Sequence, residues 1–335
     1  MKRALPILFI ILLSILPGCR PPGGDGELDE AQRDRLDLID EIKAFENKLG
    51  FAETENFKVC SDNVEAYDYY FYTSQTALPY SLDDPLLQRG KGKPESSPID
   101  LAGYDLYFYA IQAVAGVKTP VTKSLLRAPL HRFIHVVLHE DWHEQMNSSL
   151  GIEEPCAEVV SYPAAVLFAE KEFGRDSKVY ERLKDDFSKK LEESRLYQHY
   201  YDELEFLYGQ FHSGNISEAE VLAEKEDLLE SMAEELQGLW GVKPRQLNNA
   251  FIAFQMTYQR HFSLMYQVYT ATGFDLRKTM AIFSSVPEQG TEFSDVQELK
   301  NIEAKVTDYL RESARAGREA SLSPFWWTLK PVLAS

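Results

Sequence analysis

One segment near the middle of the chain has the apolar pattern of a buried helix. Apolar residues recur in two adjacent stripes: Leu130, Ile134, Leu138 and Trp142, with Phe133 and Val137 beside them. Pro129 precedes the segment, and no glycine or proline follows as far as residue 145, as is typical of a helix that begins near a proline. Polar side chains on such a helix need partners, because burial without a hydrogen bond is costly.

The rest of the pattern predicts a mainly helical α+β protein with a small β-sheet. Residues 27–50 form a charged amphipathic helix in this prediction, and the aromatic stretches 66–73 and 104–111 are the two strand candidates. A loop around residues 89–97 separates the strands. Residues 175–211 and 217–240 are charged and helical on either side of a Ser213-Gly-Asn turn, which predicts a long antiparallel hairpin.

We expect a single domain over residues 27–320. It contains an N-terminal helix and small sheet (27–125), two central helices (126–174), the hairpin (175–241) and C-terminal helices (245–320). Residues 321–335 form a tail.

The first residues have the pattern of a secretory signal. Lys2 and Arg3 precede an apolar run too short to span a membrane. Residues 1–18 end before Cys19 in Leu16-Pro-Gly-Cys19, which resembles a bacterial lipobox. The resemblance implies lipid attachment at Cys19 and a flexible linker at 19–26. Since Arg20 follows the cysteine, it also implies the periplasmic face of the outer membrane. The alternative is an ordinary signal peptide.

The chemistry of the central helix rests on the pentapeptide His139-Glu-Asp-Trp-His143. Both imidazoles lie on one helix face because they are four residues apart. At that separation two ring nitrogens can bind one Zn²⁺. Glu140 lies beside this face, where it can act as a general base toward water that the metal activates. The competing interpretation is a row of buried histidines that hydrogen bonds alone satisfy: His131, His135, His139 and His143.

A catalytic zinc needs a third protein ligand and an open position. Gly151 is expected to end the central helix, and Pro155 suits the first turn of the next one. Glu154 and Glu158 lie one turn apart on that second helix. Spacing alone leaves three alternatives: Glu154 is the ligand, Glu158 is the ligand, or both only interact with the helix dipole.

These motifs resemble the gluzincin metallopeptidases, in which a glutamate followed three positions later by a small residue supplies the third ligand. Glu154 and Ala157 match that pattern. The resemblance implies that His139, His143 and Glu154 hold Zn²⁺. It also implies that Glu158 orients a ligand histidine.

More closely, the chain resembles a bacterial family of predicted aminopeptidases that are zinc-dependent lipoproteins. The resemblance continues through Leu207-Tyr-Gly, Leu247-Asn-Asn-Ala and Thr257-Tyr258. It implies that Tyr258 donates to the oxyanion and that Asn248 or Asn249 binds substrate backbone. Two features depart from the family. Asp141-Trp142 stands where the family usually has Leu-Ala, and an aromatic-glycine-tyrosine segment before the metal helix is missing.

Charge and cysteine content narrow the alternatives only slightly. The formal net charge of −18 argues against nucleic acid as a partner. Cys60 and Cys156 either form a disulfide or stay free, and the sequence does not fix their separation. Because Cys156 is two positions after Glu154, a thiolate near the metal is a further alternative.

The sequence therefore predicts a gluzincin-like zinc hydrolase of peptide bonds with a peptide substrate. The alternative is a lipid-anchored binding or scaffold protein that a metal stabilises and that has no catalytic activity. A third is a metal-binding lipoprotein that does not cleave peptides. Glu140 favours the enzyme, since a binding protein needs the ligands but has no evident use for a base beside them.

Overall fold

The computed structural model describes residues 29–61, 64–97, 100–114, 118–290 and 293–322. The predicted signal peptide, the lipidation site Cys19, the linker and the tail beyond residue 322 lie outside the described residues. None of the helices within these ranges is both long and apolar enough to cross a lipid bilayer.

The chain is mainly helical with one small sheet, which confirms the predicted α+β class. The helices are α1 Glu30–Leu49, α2 Lys123–Leu126, α3 Leu130–Trp142, α4 Leu150–Phe173, α5 Lys178–His212, α6 Glu218–Trp240, α7 Asn249–Gln259, α8 Phe262–Ala271, α9 Leu276–Ser284 and α10 Val296–Leu322. The strands are β1 Tyr67–Ser74, β2 Gln88–Lys91 and β3 Tyr104–Ile111. Short 3₁₀ helices span Pro94–Ser96 and His143–Gln145.

The sheet is antiparallel in the order β2-β1-β3. Strands β1 and β3 match the two aromatic stretches, whereas β2 lies where the sequence predicted a loop. Gln88–Lys91 has no aromatic or β-branched residue, so its composition carries no strand signal. Gly90 explains the pairing: it lies opposite Tyr70, and a Cβ there would be 1.9 Å from the Tyr70 ring. The absence of a side chain lets β2 approach β1.

Helices α3 and α4 form the centre of the core. The two apolar stripes of α3 are buried, apart from Leu130 at its first position. Helix α4 packs against α3, α5, α7 and α8. Helix α7 also contacts the sheet on one side and the α5–α6 hairpin on another. Side chains from α3, α4 and α7 can therefore converge on one place.

Helix α4 begins earlier than the sequence indicated. It starts at Leu150, so Gly151 lies inside α4 and does not end α3, and Pro155 lies in its second turn. Carboxylates accept hydrogen bonds from backbone N–H groups at this end, where a helix leaves such groups without partners. Asp83 binds the N–H of Leu150 at 2.7 Å, and Glu153 binds the N–H of Ser148 at 2.5 Å.

Candidate metal centre

Three potential metal-binding atoms converge. They belong to His139 in α3, to His143 in the 3₁₀ helix that follows α3, and to Glu154 in α4. Nε2 of His139 lies 3.0 Å from Oε2 of Glu154 and 3.2 Å from Nε2 of His143. Nε2 of His143 lies 3.5 Å from the same glutamate oxygen. These residues form a group that could hold a metal ion.

The spacing of these atoms fits tetrahedral zinc. Ligands about 2.0–2.1 Å from a tetrahedral Zn²⁺ lie about 3.3 Å from one another. The three observed separations are 3.0, 3.2 and 3.5 Å. Two imidazoles and one carboxylate also leave the fourth position to water, as in catalytic zinc sites.

The electrostatics of this cluster favour positive charge. Burial lowers the pKa of His143, but Glu154 and Glu153 outweigh burial and hold it well above its usual value. Burial raises the pKa of Glu154, but His143 and His139 bring it below its usual value. A carboxylate that stays ionised when buried is a suitable ligand for a cation.

A second carboxylate faces the other nitrogen of each histidine. Oε1 of Glu158 lies 3.5 Å from Nδ1 of His139, and Oε2 of Glu153 lies 3.5 Å from Nδ1 of His143. Carboxylates in this position orient ligand histidines and raise their basicity. The family resemblance predicted this role for Glu158 but not for Glu153. The available signal was its position just before Glu154, which alone does not separate it from an acid at a helix N-terminus.

A salt bridge to α5 fixes the position of Glu158. Lys190 lies 3.0 Å from its Oε2, and both side chains are largely buried. Burial raises the pKa of Glu158, but Lys190, His135 and His139 together outweigh burial and lower it. Glu158 correspondingly raises the pKa of Lys190 against the effect of burial. Glu158 is thus ionised and faces Nδ1 of His139, while Glu154 faces Nε2 of the same ring.

A second group, His135, His139 and Glu158, could also hold a metal by spacing. It is the weaker candidate, because each residue has another contact. Nε2 of His135 lies 3.0 Å from the hydroxyl of Ser161, and Glu158 pairs with Lys190. An ammonium group beside a potential ligand opposes a second cation there.

Two further candidate residues lie beside this cluster: Glu140 is near both histidines, and the Tyr258 ring is near His139. Burial raises the pKa of Glu140, which also interacts electrostatically with His139 and His143. The Tyr258 ring stacks at 6.4 Å from that of His139. Burial, followed by Glu154 and Tyr109, holds the pKa of Tyr258 well above its usual value. Tyr258 therefore keeps its proton and can donate a hydrogen bond.

Asp141 lies away from the face of α3 that carries His139, and it has a basic neighbour. It is fully buried and forms a salt bridge with Lys43 of α1. The hydroxyl of Thr54 donates to its Oδ1 at 2.7 Å. The charged residue inside the pentapeptide thus anchors α1 to the metal helix.

The structure corrects the predicted substrate contacts of Asn248 and Asn249. Asn249 is fully buried, and its amide donates to the carbonyl oxygens of Gln75 and Ala77. Its N–H also binds Asp105. Asn248 caps α7 by accepting from the N–H of Phe251. Both asparagines therefore support the fold, and neither is free to bind a peptide backbone.

Asn248 also marks the outer edge of the sheet. Its amide donates to the carbonyl of Leu106 at 2.8 Å, and Gln246 accepts from the N–H of Phe108 at 3.1 Å. Alternate residues of a strand direct their backbone N–H and C=O groups to the same edge. The outer edge of β3 therefore continues from Leu106 and Phe108 to Ala110, in the direction of Tyr109 and Tyr258. Side chains from the α6–α7 connection thus cover part of this edge.

The cysteines do not contribute metal ligands among the described residues. Cys60 and Cys156 are not joined by a disulfide in this structure, so the disulfide alternative does not hold for it. Burial and then Glu153 raise the pKa of Cys156 well above its usual value. A thiol that stays protonated is a poor metal ligand, since coordination requires the thiolate.

Comparison with known proteins adds no relative. No protein-family model matches the sequence, and no curated protein or solved structure matches it either.

Proposed function

We propose that this chain is a zinc-dependent hydrolase of peptide bonds with a gluzincin-like core. One observation carries the proposal: three metal-binding atoms converge at tetrahedral spacing, and a carboxylate faces the remaining nitrogen of each histidine. In this proposal His139, His143 and Glu154 hold Zn²⁺, while Glu158 and Glu153 orient the two imidazoles.

The zinc ion would polarise the substrate carbonyl and lower the pKa of water to about 7. The chain's own residues perform the proton transfers. Glu140 accepts a proton from the attacking water and delivers it to the leaving amine. Its pKa, raised by burial, suits a group that must both accept and release a proton. Tyr258 donates to the oxyanion as charge develops on the carbonyl oxygen.

The outer edge of β3 is the proposed binding surface for the peptide. An extended peptide can add to such an edge through main-chain hydrogen bonds. Gln246 and Asn248 already bind the edge at Phe108 and Leu106. A peptide can thus pair only beyond these positions, toward Ala110. A short binding surface is consistent with an aminopeptidase, which is the activity that the family resemblance implies.

The lipid anchor is part of the same proposal. The Leu16-Pro-Gly-Cys19 sequence supports attachment to a membrane through a lipid on Cys19 in a bacterial cell envelope. Replacing Cys19 with serine should abolish labelling by a fatty-acid analogue. Normal processing and release of the protein with Cys19 intact would contradict the anchor.

The test of catalysis is Glu140→Gln, which keeps the shape of the side chain but removes the base. Zinc content should stay the same, while turnover of an unblocked peptide library should fall by about 10²–10⁴-fold. Glu144→Gln is the matched control, because Glu144 lies one turn later and is exposed. N-acetylated peptides should resist cleavage by an aminopeptidase. If the wild-type protein binds zinc but is as inert as Glu140→Gln on both libraries, the binding or scaffold protein becomes the better explanation.

A further inference from the structure

A cavity of about 210 Å³ lies beside the candidate metal centre, between α3, α4, α5 and the end of α6. Its lining includes His135, one helical turn before His139, and the two rings lie 5.6 Å apart. Lys190, which fixes Glu158, also lines it. A group bound in this cavity would therefore lie about one turn of α3 from the metal ligands.

The cavity contains a cationic group that no described acid neutralises. Arg132 donates to Oε1 of Gln112 at 2.7 Å and to the Tyr109 hydroxyl at 3.1 Å. Within the described ranges, no carboxylate lies within salt-bridge distance of it. Arg132 is an exposed residue that also lines the cavity. In a chain with a formal net charge of −18, a guanidinium that two neutral groups hold in place can take an acidic ligand there.

The other charged groups of the lining are already paired. Arg182 binds Asp186 at 2.9 Å, and Lys190 binds two carboxylates, Glu158 at 3.0 Å and Glu193 at 3.3 Å. Among the described residues of the lining, Arg132 is therefore the cation that has no acid within salt-bridge distance.

The walls and size of the cavity suit a single side chain. The Tyr162 ring packs against that of His135 at 3.9 Å between centroids, and Trp240 lines the far side. A volume of about 210 Å³ corresponds to about seven water molecules. Aromatic walls with one planar cation are suited to a small carboxylate.

Tyr109 connects this cavity to the proposed peptide-binding edge. It belongs to β3, and its hydroxyl is bound to Arg132. Tyr109 also contributes to the raised pKa of Tyr258, after burial and Glu154. Arg132 is thus linked through one side chain to the strand that would hold the substrate.

We propose that this cavity is a specificity pocket in which Arg132 binds a carboxylate of the peptide close to the scissile bond. The carboxylate comes either from an aspartate or glutamate side chain or from the peptide's C-terminus. This inference rests on the proposed peptidase function and adds its substrate class. Arg132 pairs bidentately with the carboxylate while Tyr109 and Gln112 hold the guanidinium in place.

Binding is measured first, with zinc-loaded Glu140→Gln protein so that no probe is consumed. The probes are two dipeptide pairs, studied by calorimetry. Ala-Asp-amide and Ala-Asn-amide test a side-chain carboxylate, while Ala-Ala and Ala-Ala-amide test a terminal one. In one of the two pairs, the member with the carboxylate should bind more tightly than its amide counterpart by about 10-fold or more. The pair that shows this difference identifies whether the pocket binds a side-chain or a terminal carboxylate.

Adding Arg132→Gln should remove the preference, while Arg132→Lys should keep part of it. Arg127→Gln is the control, because Arg127 pairs at the surface with Glu65 and should leave the preference unchanged. Equal or undetectable binding of both members of each pair would overturn the inference, as would a preference that survives Arg132→Gln in folded protein.

Cleavage then separates this inference from the proposed function. If the wild-type protein cleaves peptides but does not favour the acidic or free-carboxyl members, the specificity pocket is ruled out and the proposed peptidase function stands. The opposite result is that the wild-type protein cleaves none of these peptides while Glu140→Gln protein binds carboxylates in a way that depends on Arg132. That result rules out the peptidase function, and the anion site stands.

Discussion

Oε1 of Glu158 lies 3.5 Å from Nδ1 of His139, on the side of the ring opposite the proposed metal-binding Nε2. Its other oxygen is 3.0 Å from Lys190. Glu153 has the same relationship to Nδ1 of His143. Each histidine thus has an orienting carboxylate at Nδ1, and among the described residues Glu154 is the carboxylate that faces both Nε2 atoms.

This arrangement predicts a ranking of metal affinities. Glu154→Ala should abolish zinc binding, because it removes a ligand. Glu158→Gln and Glu153→Gln should each weaken it by about 10–100-fold, the usual effect of losing an orienting carboxylate. Competition with a chelator of known affinity measures all three, and Glu144→Gln should match the wild type. A larger loss from Glu158→Gln than from Glu154→Ala would show that the ligand was assigned to the wrong glutamate.

Tyr258→Phe should lower kcat by about 10²–10³-fold, as is typical when an oxyanion donor is removed. KM and zinc affinity should change little, because the phenyl ring keeps its packing against Phe254 and His139. The matched control is Tyr309→Phe, whose hydroxyl bonds to Ser285. Steady-state kinetics with one peptide substrate measures kcat and KM for both variants. A fully active Tyr258→Phe protein would assign Tyr258 to packing alone.

The sequence identified the helices of the site because their signals are local. The apolar stripes of α3, the His139–His143 spacing and the long hairpin depend on residues close together in the chain. Strand β2 was missed because its pairing depends on Gly90 meeting Tyr70, which no local pattern records. The early start of α4 depends likewise on Asp83, a distant residue that caps Leu150.

Asp141 shows how a departure from a motif can depend on a partner elsewhere in the chain. Asp141→Leu restores the residue that the resembling family usually has, but it removes the closer of the two buried carboxylates that pair with Lys43 and leaves only Glu46, at 4.0 Å. We expect a loss of about 3 kcal/mol in the free energy of unfolding. Adding Lys43→Met should recover part of that loss, since an apolar pair of similar volume can replace a buried salt bridge, whereas the buried Glu46 loses its cation. Urea denaturation measures both variants.

The control is Lys58→Met, which breaks an exposed pair with Glu55 and should change stability by less than about 1 kcal/mol. If the double variant is no more stable than Asp141→Leu alone, the salt bridge is not the reason for the departure.

Asp83 predicts a dependence of stability on pH. Burial raises its pKa to about 7, with Glu303 among the smaller causes. In the unfolded chain the pKa is about 3.9. The folded state therefore holds a proton between about pH 4 and pH 7 that the unfolded state has lost, so stability should fall as pH rises through this window.

Asp83→Asn removes this titration but keeps an acceptor for the N–H of Leu150. Relative to wild type, the variant should become more stable between about pH 4 and pH 7, by up to about 4 kcal/mol at the upper end. Urea denaturation with a chelator present measures the difference at each pH. A difference that stays constant with pH would contradict the raised pKa.

Gly151 and Gly209 are both helical glycines, yet alanine should have opposite effects at the two positions. At Gly151 a Cβ would lie 2.3 Å from Oε1 of Glu303. That carboxylate cannot easily move, because it is buried and bound by Ser149, Tyr80 and His261. Gly151→Ala should therefore destabilise the protein by about 1–3 kcal/mol.

At Gly209 a Cβ would meet nothing within 4 Å. Gly209→Ala should stabilise the protein by about 0.5–1 kcal/mol, because alanine loses less conformational freedom than glycine in a helix. Thermal unfolding of the two variants in parallel measures both effects. Because Gly151 lies three residues before Glu154, Gly151→Ala should also weaken zinc binding, whereas Gly209→Ala should not. Equal stability and zinc affinity in the two variants would show that the contact with Glu303 does not position the start of α4.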